Sequence, residues 1–165
     1  MRPRKHSQLG DGALECGSIS AAVSMSFTSP QTVAWPVPMT GRTPRALIVE
    51  DELLVAWHLE TLARDLNLDV CALVPDGDGA IEQADDLDVD LILMDIRLAG
   101  SMDGIEAARR IRERRNTPII FITAHGDAAT RAHIERVLPG APVLAKPVSS
   151  AQLREAVATV FKTEP

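Results

Sequence analysis

Leu91-Ile92-Leu93-Met94-Asp95 is the stretch of sequence that decides the fold. It places consecutive apolar residues directly before an acidic one. A strand that is apolar at every position is typical of a parallel sheet covered by helices on both faces. We therefore predict a central parallel strand over 91–94, with Asp95 at the point where it ends.

Similar short apolar runs lie on both sides of this strand, and amphipathic segments separate them. Val55, Leu59, Leu62 and Leu66, for example, have the spacing of one helix face. This alternation predicts an α/β fold built from βα units wound into a parallel sheet. The other predicted strands are 46–49, 70–74, 119–122 and 142–145, with helices over about 79–86 and 104–115, a helix capped by Asp127, and a last helix capped by Ser149 or Ser150.

The chain divides into two regions of different composition. Residues 1–44 are rich in Ser, Thr, Gly and Pro and show no period typical of a helix or strand. Such a segment lacks the apolar surface needed for a packed core. We predict a mostly disordered extension over 1–44 and one domain over 45–165.

Charge and composition exclude several classes of protein. The net charge is −6. The extension has four basic and two acidic residues, so residues 45–165 carry −8 and would repel nucleic acid. The arginines between 109 and 115 are interpreted as a solvated helix face. No apolar run approaches the roughly 18 residues of a membrane-spanning helix. Cys16 and Cys71 show no disulfide or zinc pattern, which favours a cytoplasmic protein.

Polar residues follow the strongest predicted strands. Glu50 and Asp51 follow the first, and Asp95, Thr123 and Lys146 follow the third, fourth and fifth. Ligands of open α/β sheets bind outside the carboxyl ends of the strands, so these residues can converge on one site. Carboxylates so close together repel one another unless a cation lies between them. Magnesium suits a site with only oxygen ligands that also holds phosphate.

Four motifs occur in order along the chain: Leu-Ile-Val-Glu-Asp-Glu at 47–52, Leu-Met-Asp-Ile-Arg-Leu at 93–98 with Asp103-Gly104, Ile-Thr-Ala-His-Gly at 122–126, and Ala-Lys-Pro at 145–147. Together they resemble the receiver domains of two-component response regulators. The resemblance covers about 45–162 and implies a flavodoxin-like (βα)5 fold with strand order 2-1-3-4-5.

The resemblance also implies a role for each site residue. Asp95 accepts a phosphoryl group from a phosphohistidine in a magnesium-dependent reaction, and Lys146 precedes a cis proline. Thr123 and Lys146 contact the phosphoryl group. The implied magnesium ligands are Asp51, Asp95, Glu50 through water, and the backbone carbonyl of Arg97.

The sequence departs from the family pattern at one position. Many receivers carry an aromatic residue three positions before the lysine, where it reports phosphorylation to the opposite face, but here Val143 occupies that place. That coupling cannot operate unchanged. Arg97 and His125, two residues after Asp95 and Thr123, are expected to flank the path of attacking water and to tune the lifetime of the phosphorylated state.

The leading functional hypothesis is a single-domain response regulator, because no residues for an output module follow the last helix. Its expected partners are a sensor histidine kinase or phosphotransfer protein and a downstream protein, with homodimerisation left open. We expect no enzymatic activity, no direct contact with nucleic acid and no membrane segment. Alternatives are a phosphate sink in a phosphorelay, a phosphorylation-independent binding module, and an aspartate-nucleophile phosphatase. The phosphatases usually carry Asp-x-Asp after the first strand, in contrast to Glu50-Asp51-Glu52.

Overall fold

The computed structural model describes residues 42–124 and 126–162, in which strands and helices alternate along the chain. Strands and helices alternate because the short apolar runs are separated by segments with one apolar helical face. The elements are β1 (Arg45–Val49), α1 (Leu53–Asp65), β2 (Asp69–Val74), α2 (Gly77–Asp86), β3 (Leu91–Asp95), α3 (Gly104–Arg114), β4 (Ile119–Thr123), α4 (Ala128–Val137), β5 (Val143–Ala145) and α5 (Ser150–Lys162).

The strands form one parallel sheet in the order β2-β1-β3-β4-β5. This is the flavodoxin-like order, so the predicted fold class and topology are confirmed. β3, the middle strand, consists of the apolar run Leu91–Met94 followed by Asp95, and all five residues are buried. The carboxyl ends of β1, β3, β4 and β5 therefore meet at one edge of the sheet.

Two apolar clusters cover the two faces of the sheet. Alternate residues of each central strand point to opposite faces, so Leu93 and Ile122 face α1 and α5, whereas Met94 and Phe121 face α2, α3 and α4. Among the described residues, Phe121 has the largest fully buried side chain. The sheet is therefore doubly wound, and helices on both sides hold the strand ends in place.

Aspartates cap the N-termini of the three helices on one face. Each carboxylate accepts a hydrogen bond from a backbone N–H in the first turn, which satisfies a donor that the helix leaves free. The pairs are Asp76 with Gly79, Asp103 with Glu106, and Asp127 with Thr130. The Asp127 cap is confirmed, and α2 begins at Gly77 rather than at Gly79 because Asp76 caps it.

Ser149 caps α5, as predicted, because its hydroxyl accepts a hydrogen bond from the N–H of Gln152. β5 begins at Val143 rather than at Pro142. Proline has no N–H to donate, and only the carbonyl of Pro142 joins the sheet, where it accepts from the N–H of Phe121. β2 is an edge strand, begins at Asp69, and is only partly buried.

The described residues begin at Arg42, three positions before the predicted start of the domain at Arg45. Arg42 donates two hydrogen bonds to the carboxylate of Asp90, which also accepts from the N–H of Arg45. Residues 1–41, and with them most of the predicted disordered extension and Cys16, lie outside the described residues, so that part of the domain division stays a prediction. Within the described part of the chain, no helix has the length and apolar character required to cross a bilayer.

Candidate functional site

The residues predicted to carry function lie at the carboxyl edge of the sheet. Glu50 and Asp51 follow β1, Asp95 and Thr123 are the last residues of β3 and β4, and Lys146 follows β5. In the order β1-β3-β4-β5 each of these strands lies beside the next, and two strands separate β1 from β5. Residues that are as far apart in sequence as 50 and 146 therefore meet at one place.

Lys146 joins the two buried carboxylates of the site. Its Nζ lies 2.7 Å from Oδ2 of Asp95 and 2.8 Å from Oε1 of Glu50. The backbone N–H of Lys146 donates to the carbonyl of Thr123, which attaches the start of the β5–α5 loop to β4. The Lys146–Pro147 peptide bond is cis, as the family resemblance implied.

Burial makes this ion pair unusual. The side chain of Glu50 is fully buried, and Lys146 is only 13% exposed. Burial raises the pKa of Glu50, although the hydrogen bond from Lys146 acts in the opposite direction. Burial also opposes the charge on Lys146, but hydrogen bonds to Asp95 and Glu50 outweigh it and raise the pKa of the lysine. The charge of the buried Glu50 carboxylate therefore depends on the neighbouring ammonium of Lys146.

The three acidic residues fit a divalent cation. Glu50, Asp51 and Asp95 each offer an oxygen, and these oxygens lie within 4.8 Å of one another. Oε2 of Glu50 lies 2.7 Å from Nζ of Lys146 in an ion pair, and no other donor among the described residues reaches it. Asp51 is exposed, so the cluster is open to solvent. Hard oxygen donors with unused lone pairs are the ligands that magnesium prefers.

The β3–α3 loop surrounds Asp95 on its C-terminal side. The N–H of Arg97 lies 3.3 Å from Oδ1 of Asp95, and the N–H of Gly104 donates to the carbonyl of Ile96. The loop is also attached to the β2–α2 turn, because the N–H of Ala99 donates to the carbonyl of Pro75. The side chain of Arg97 is exposed, whereas that of Thr123 is buried.

Val143 occupies the position, three residues before Lys146, at which many receivers carry an aromatic residue. It is partly buried at the start of β5, pairs with Phe121 of β4, and packs against the cluster covered by α2, α3 and α4. His125, the other predicted tuning residue, lies outside the described residues. The predicted effects of Arg97 and His125 on the lifetime of the phosphorylated state stay predictions.

Sequence reasoning missed two features near the site. The first is the contact between Lys146 and Glu50, for which the sequence carries no signal. The second is an apolar patch, called here the α1 patch, that consists of Leu53, Leu54 and Trp57 with exposed fractions of 59%, 77% and 53%. The sequence could have indicated this patch, since its apolar residues lie outside the buried stripe of α1.

Comparison with known proteins identifies the family. The family model described as the response regulator receiver domain matches residues 46–158. An uncharacterized response regulatory protein of Vibrio cholerae is 33% identical over 118 residues, which cover 70% of this chain and 44% of that protein. The chain spans about half or less of the length of the curated relatives it matches.

Solved structures give the same result. The signal receiver domain of a modulated diguanylate cyclase from Desulfovibrio desulfuricans is 38% identical with a TM-score of 0.67, covering 73% of this chain and 95% of that one. The receiver domain of the sensor histidine kinase PA1611 from Pseudomonas aeruginosa, which has a magnesium ion coordinated in its active-site cleft, is 32% identical. Its TM-score is 0.66, and the match covers 74% of this chain and 100% of that one. The family match, the strand order and the site geometry agree, and the chain belongs to the response regulator receiver domain family.

Proposed function

We propose that Asp95 accepts a phosphoryl group from a phosphohistidine of a sensor histidine kinase or phosphotransfer protein. The observation that carries this proposal is the placement of Asp95 at the end of the central strand, within 2.7 Å of the ammonium of Lys146 and beside two further carboxylates. A carboxylate with an adjacent cation and a cation-binding cluster is suited to phosphoryl transfer, in which catalysis consists mostly of positioning and charge neutralisation.

In the proposed step an oxygen of Asp95 attacks phosphorus, and the bond between phosphorus and the histidine nitrogen breaks. The electron pair of that bond leaves with the imidazole, and the product is an acyl phosphate on Asp95. Lys146 supplies a compact positive charge to the phosphoryl oxygens, and Thr123 donates its hydroxyl to one of them. Lys146 already contacts Asp95, so it needs little movement to reach the product.

The acidic cluster provides the proposed magnesium ligands. Asp51 and Asp95 bind directly, Glu50 binds through water, and the backbone carbonyl of Arg97 completes the protein ligands. When bound, magnesium supplies positive charge that offsets the charge of the phosphoryl group and the carboxylates. Oε2 of Glu50, which accepts no further hydrogen bond among the described residues, and the exposed position of Asp51 support this assignment.

The α1 patch is the proposed contact for the phosphodonor protein. It begins at Leu53, two residues after Asp51, so a protein that delivers a phosphohistidine to Asp95 must pass close to it. Exposed leucine and tryptophan side chains bury apolar surface when a partner docks, and aromatic residues frequently dominate such contacts. Signalling to a downstream target then occurs through protein contact, without an enzymatic activity of the domain itself.

The test is incubation with acetyl phosphate and magnesium, followed by intact-mass measurement. We expect the wild type to gain the mass of one phosphoryl group and the Asp95→Ala variant to gain none. Asp65→Ala is the matched control, because Asp65 is exposed at the far end of α1. An equal adduct on the Asp95→Ala variant, or none on the wild type, would refute the proposal. Steady release of phosphate from a small phosphomonoester would indicate a phosphatase instead.

A further inference from the structure

Gly104, the first residue of α3, lies directly against the backbone of Asp95. It is buried, and its N–H donates a 2.9 Å hydrogen bond to the carbonyl of Ile96. A Cβ atom at Gly104 would lie 1.9 Å from the carbonyl oxygen of Asp95 and 2.9 Å from its carbonyl carbon. The helix thus begins at a point where only the absence of a side chain allows the two backbones to meet.

The contact cannot be relieved by a small local adjustment. Carbon and oxygen atoms that are not bonded rarely approach closer than about 3 Å, so a Cβ would have to move by roughly 1 Å relative to the carbonyl. The two nearest atoms belong to the backbone of Asp95, and the third is Cγ of the fully buried Met94 at 3.0 Å. Either α3 or the peptide bond after Asp95 must shift.

A shift of that peptide would reach the functional atoms. Asp95 and Arg97 are connected by the hydrogen bond from the N–H of Arg97 to Oδ1 of Asp95, and Ile96 between them accepts from Gly104. Turning the peptide after Asp95 therefore moves both the carboxylate and the carbonyl of Arg97. Displacements of about 1 Å at a reacting centre can slow a reaction about 100-fold.

We propose that Gly104 is a positioning residue for phosphoryl transfer, since it lets α3 hold the main chain from Asp95 to Arg97 in the geometry that binds magnesium and exposes the carboxylate. The residue acts through Asp95 and does not itself contact phosphate or metal. This inference rests on the proposed function of Asp95.

The test compares Gly104→Ala with Gly77→Ala. Gly77 is also the first residue of an aspartate-capped helix and is also buried, but a Cβ there would meet only side chains, namely Met102 at 3.0 Å and Cβ of Ala107 at 3.2 Å, rather than a backbone. We expect Gly104→Ala to weaken magnesium binding at least roughly tenfold by calorimetry and to slow acetyl phosphate labelling by roughly 10- to 100-fold. Gly77→Ala should change both by less than about twofold.

Asp103 gives a second test that remains available if Gly104→Ala does not fold. Its carboxylate caps α3 through the N–H of Glu106, so Asp103→Ala should loosen the first turn, while Asp103→Asn keeps the cap. We expect Asp103→Ala to weaken magnesium binding several-fold and Asp103→Asn to restore most of it. Wild-type magnesium binding in Gly104→Ala, or equal binding in the two Asp103 variants, overturns the inference. Absence of a wild-type adduct at Asp95 would instead refute the proposed function, and the magnesium titration would still decide whether Gly104 positions the main chain from Asp95 to Arg97 for magnesium.

Discussion

Replacing Lys146 by methionine removes the cation between Glu50 and Asp95 while keeping an unbranched side chain. The ammonium lies 2.7 Å from both carboxylates, a distance at which each pair attracts by roughly 6 kcal/mol with an effective dielectric constant of about 20. The acidic oxygens lie within 4.8 Å of one another, so Glu50 and Asp95 alone repel by about 3.5 kcal/mol in the same medium. We expect the folded variant to relieve this repulsion by keeping a proton on Glu50, whose pKa burial already raises.

The cost of that proton sets the expected loss of stability. The ordinary pKa of Glu50 is 4.5, and each pH unit above it costs about 1.36 kcal/mol to keep the proton. Lys146→Met should therefore lower the free energy of unfolding by about 3.4 kcal/mol at pH 7 and by about 1.4 kcal/mol at pH 5.5, relative to a wild type in which Lys146 keeps Glu50 ionised. The sign follows from linkage: the folded variant binds a proton that the unfolded chain releases, so its stability falls as pH rises above 4.5.

Urea denaturation in EDTA at the two pH values measures these losses. Adding Glu50→Gln to Lys146→Met should restore the free energy of unfolding to within about 1 kcal/mol of the wild type, because one carboxylate no longer needs a counter-charge. Lys162→Met is the control, since Lys162 is exposed at the end of α5. A loss that does not change with pH, or a double variant as unstable as Lys146→Met, would refute the reasoning.

Three further predictions concern the partner surface, the lifetime of the phosphorylated state and the surface of α3. Trp57→Ser should lower the rate of transfer from a purified, phosphorylated sensor kinase about tenfold and leave labelling by acetyl phosphate unchanged. Thr61→Ala on the exposed side of α1 is its control, and equal losses with both donors would contradict the assignment. Arg97→Ala and His125→Ala should each alter the decay of the phosphorylated protein, followed by loss of the phosphoryl mass, and decay at the wild-type rate would count against this role. Hydrogen bonds from Arg109 and Arg110 lower the pKa of Glu106 to about 2, so the stabilisation from this carboxylate is present above its ordinary pKa of 4.5 and is lost as pH falls toward 2. Carbon NMR titration should show this value in the wild type and a higher one in Arg109→Ala, and a wild-type value near 4.5 would mean that these ion pairs do not form in solution.

The fold could be predicted because its signals are local. A strand buried on both faces must be apolar at each position, as Leu91–Met94 is, and helix starts carry aspartates whose capping geometry needs only neighbouring residues. The errors were at boundaries. Asp76 was not recognised as a cap, so α2 was predicted to begin too late, and Pro142 was included in β5 although it cannot donate to the sheet.

The candidate site could be predicted in part for the same reason. Parallel strands place their carboxyl ends together, so residues that follow them must converge once the strand order is known. The contacts between side chains within the site could not be predicted from the sequence. The hydrogen bond between Lys146 and Glu50 joins residues separated by 96 positions, and no local pattern specifies which carboxylate a lysine reaches.

The sequence by itself determined which residues stand at the strand ends, because strand burial and helix capping depend on residues close together in the chain. Only the tertiary structure decided how those residues touch. It placed the fully buried Glu50 against Lys146, left the α1 patch exposed, and brought Gly104 against the carbonyl of Asp95. These outcomes depend on distances of a few ångströms between separate elements, which are set by how the helices pack on the sheet rather than by the pattern of any one segment.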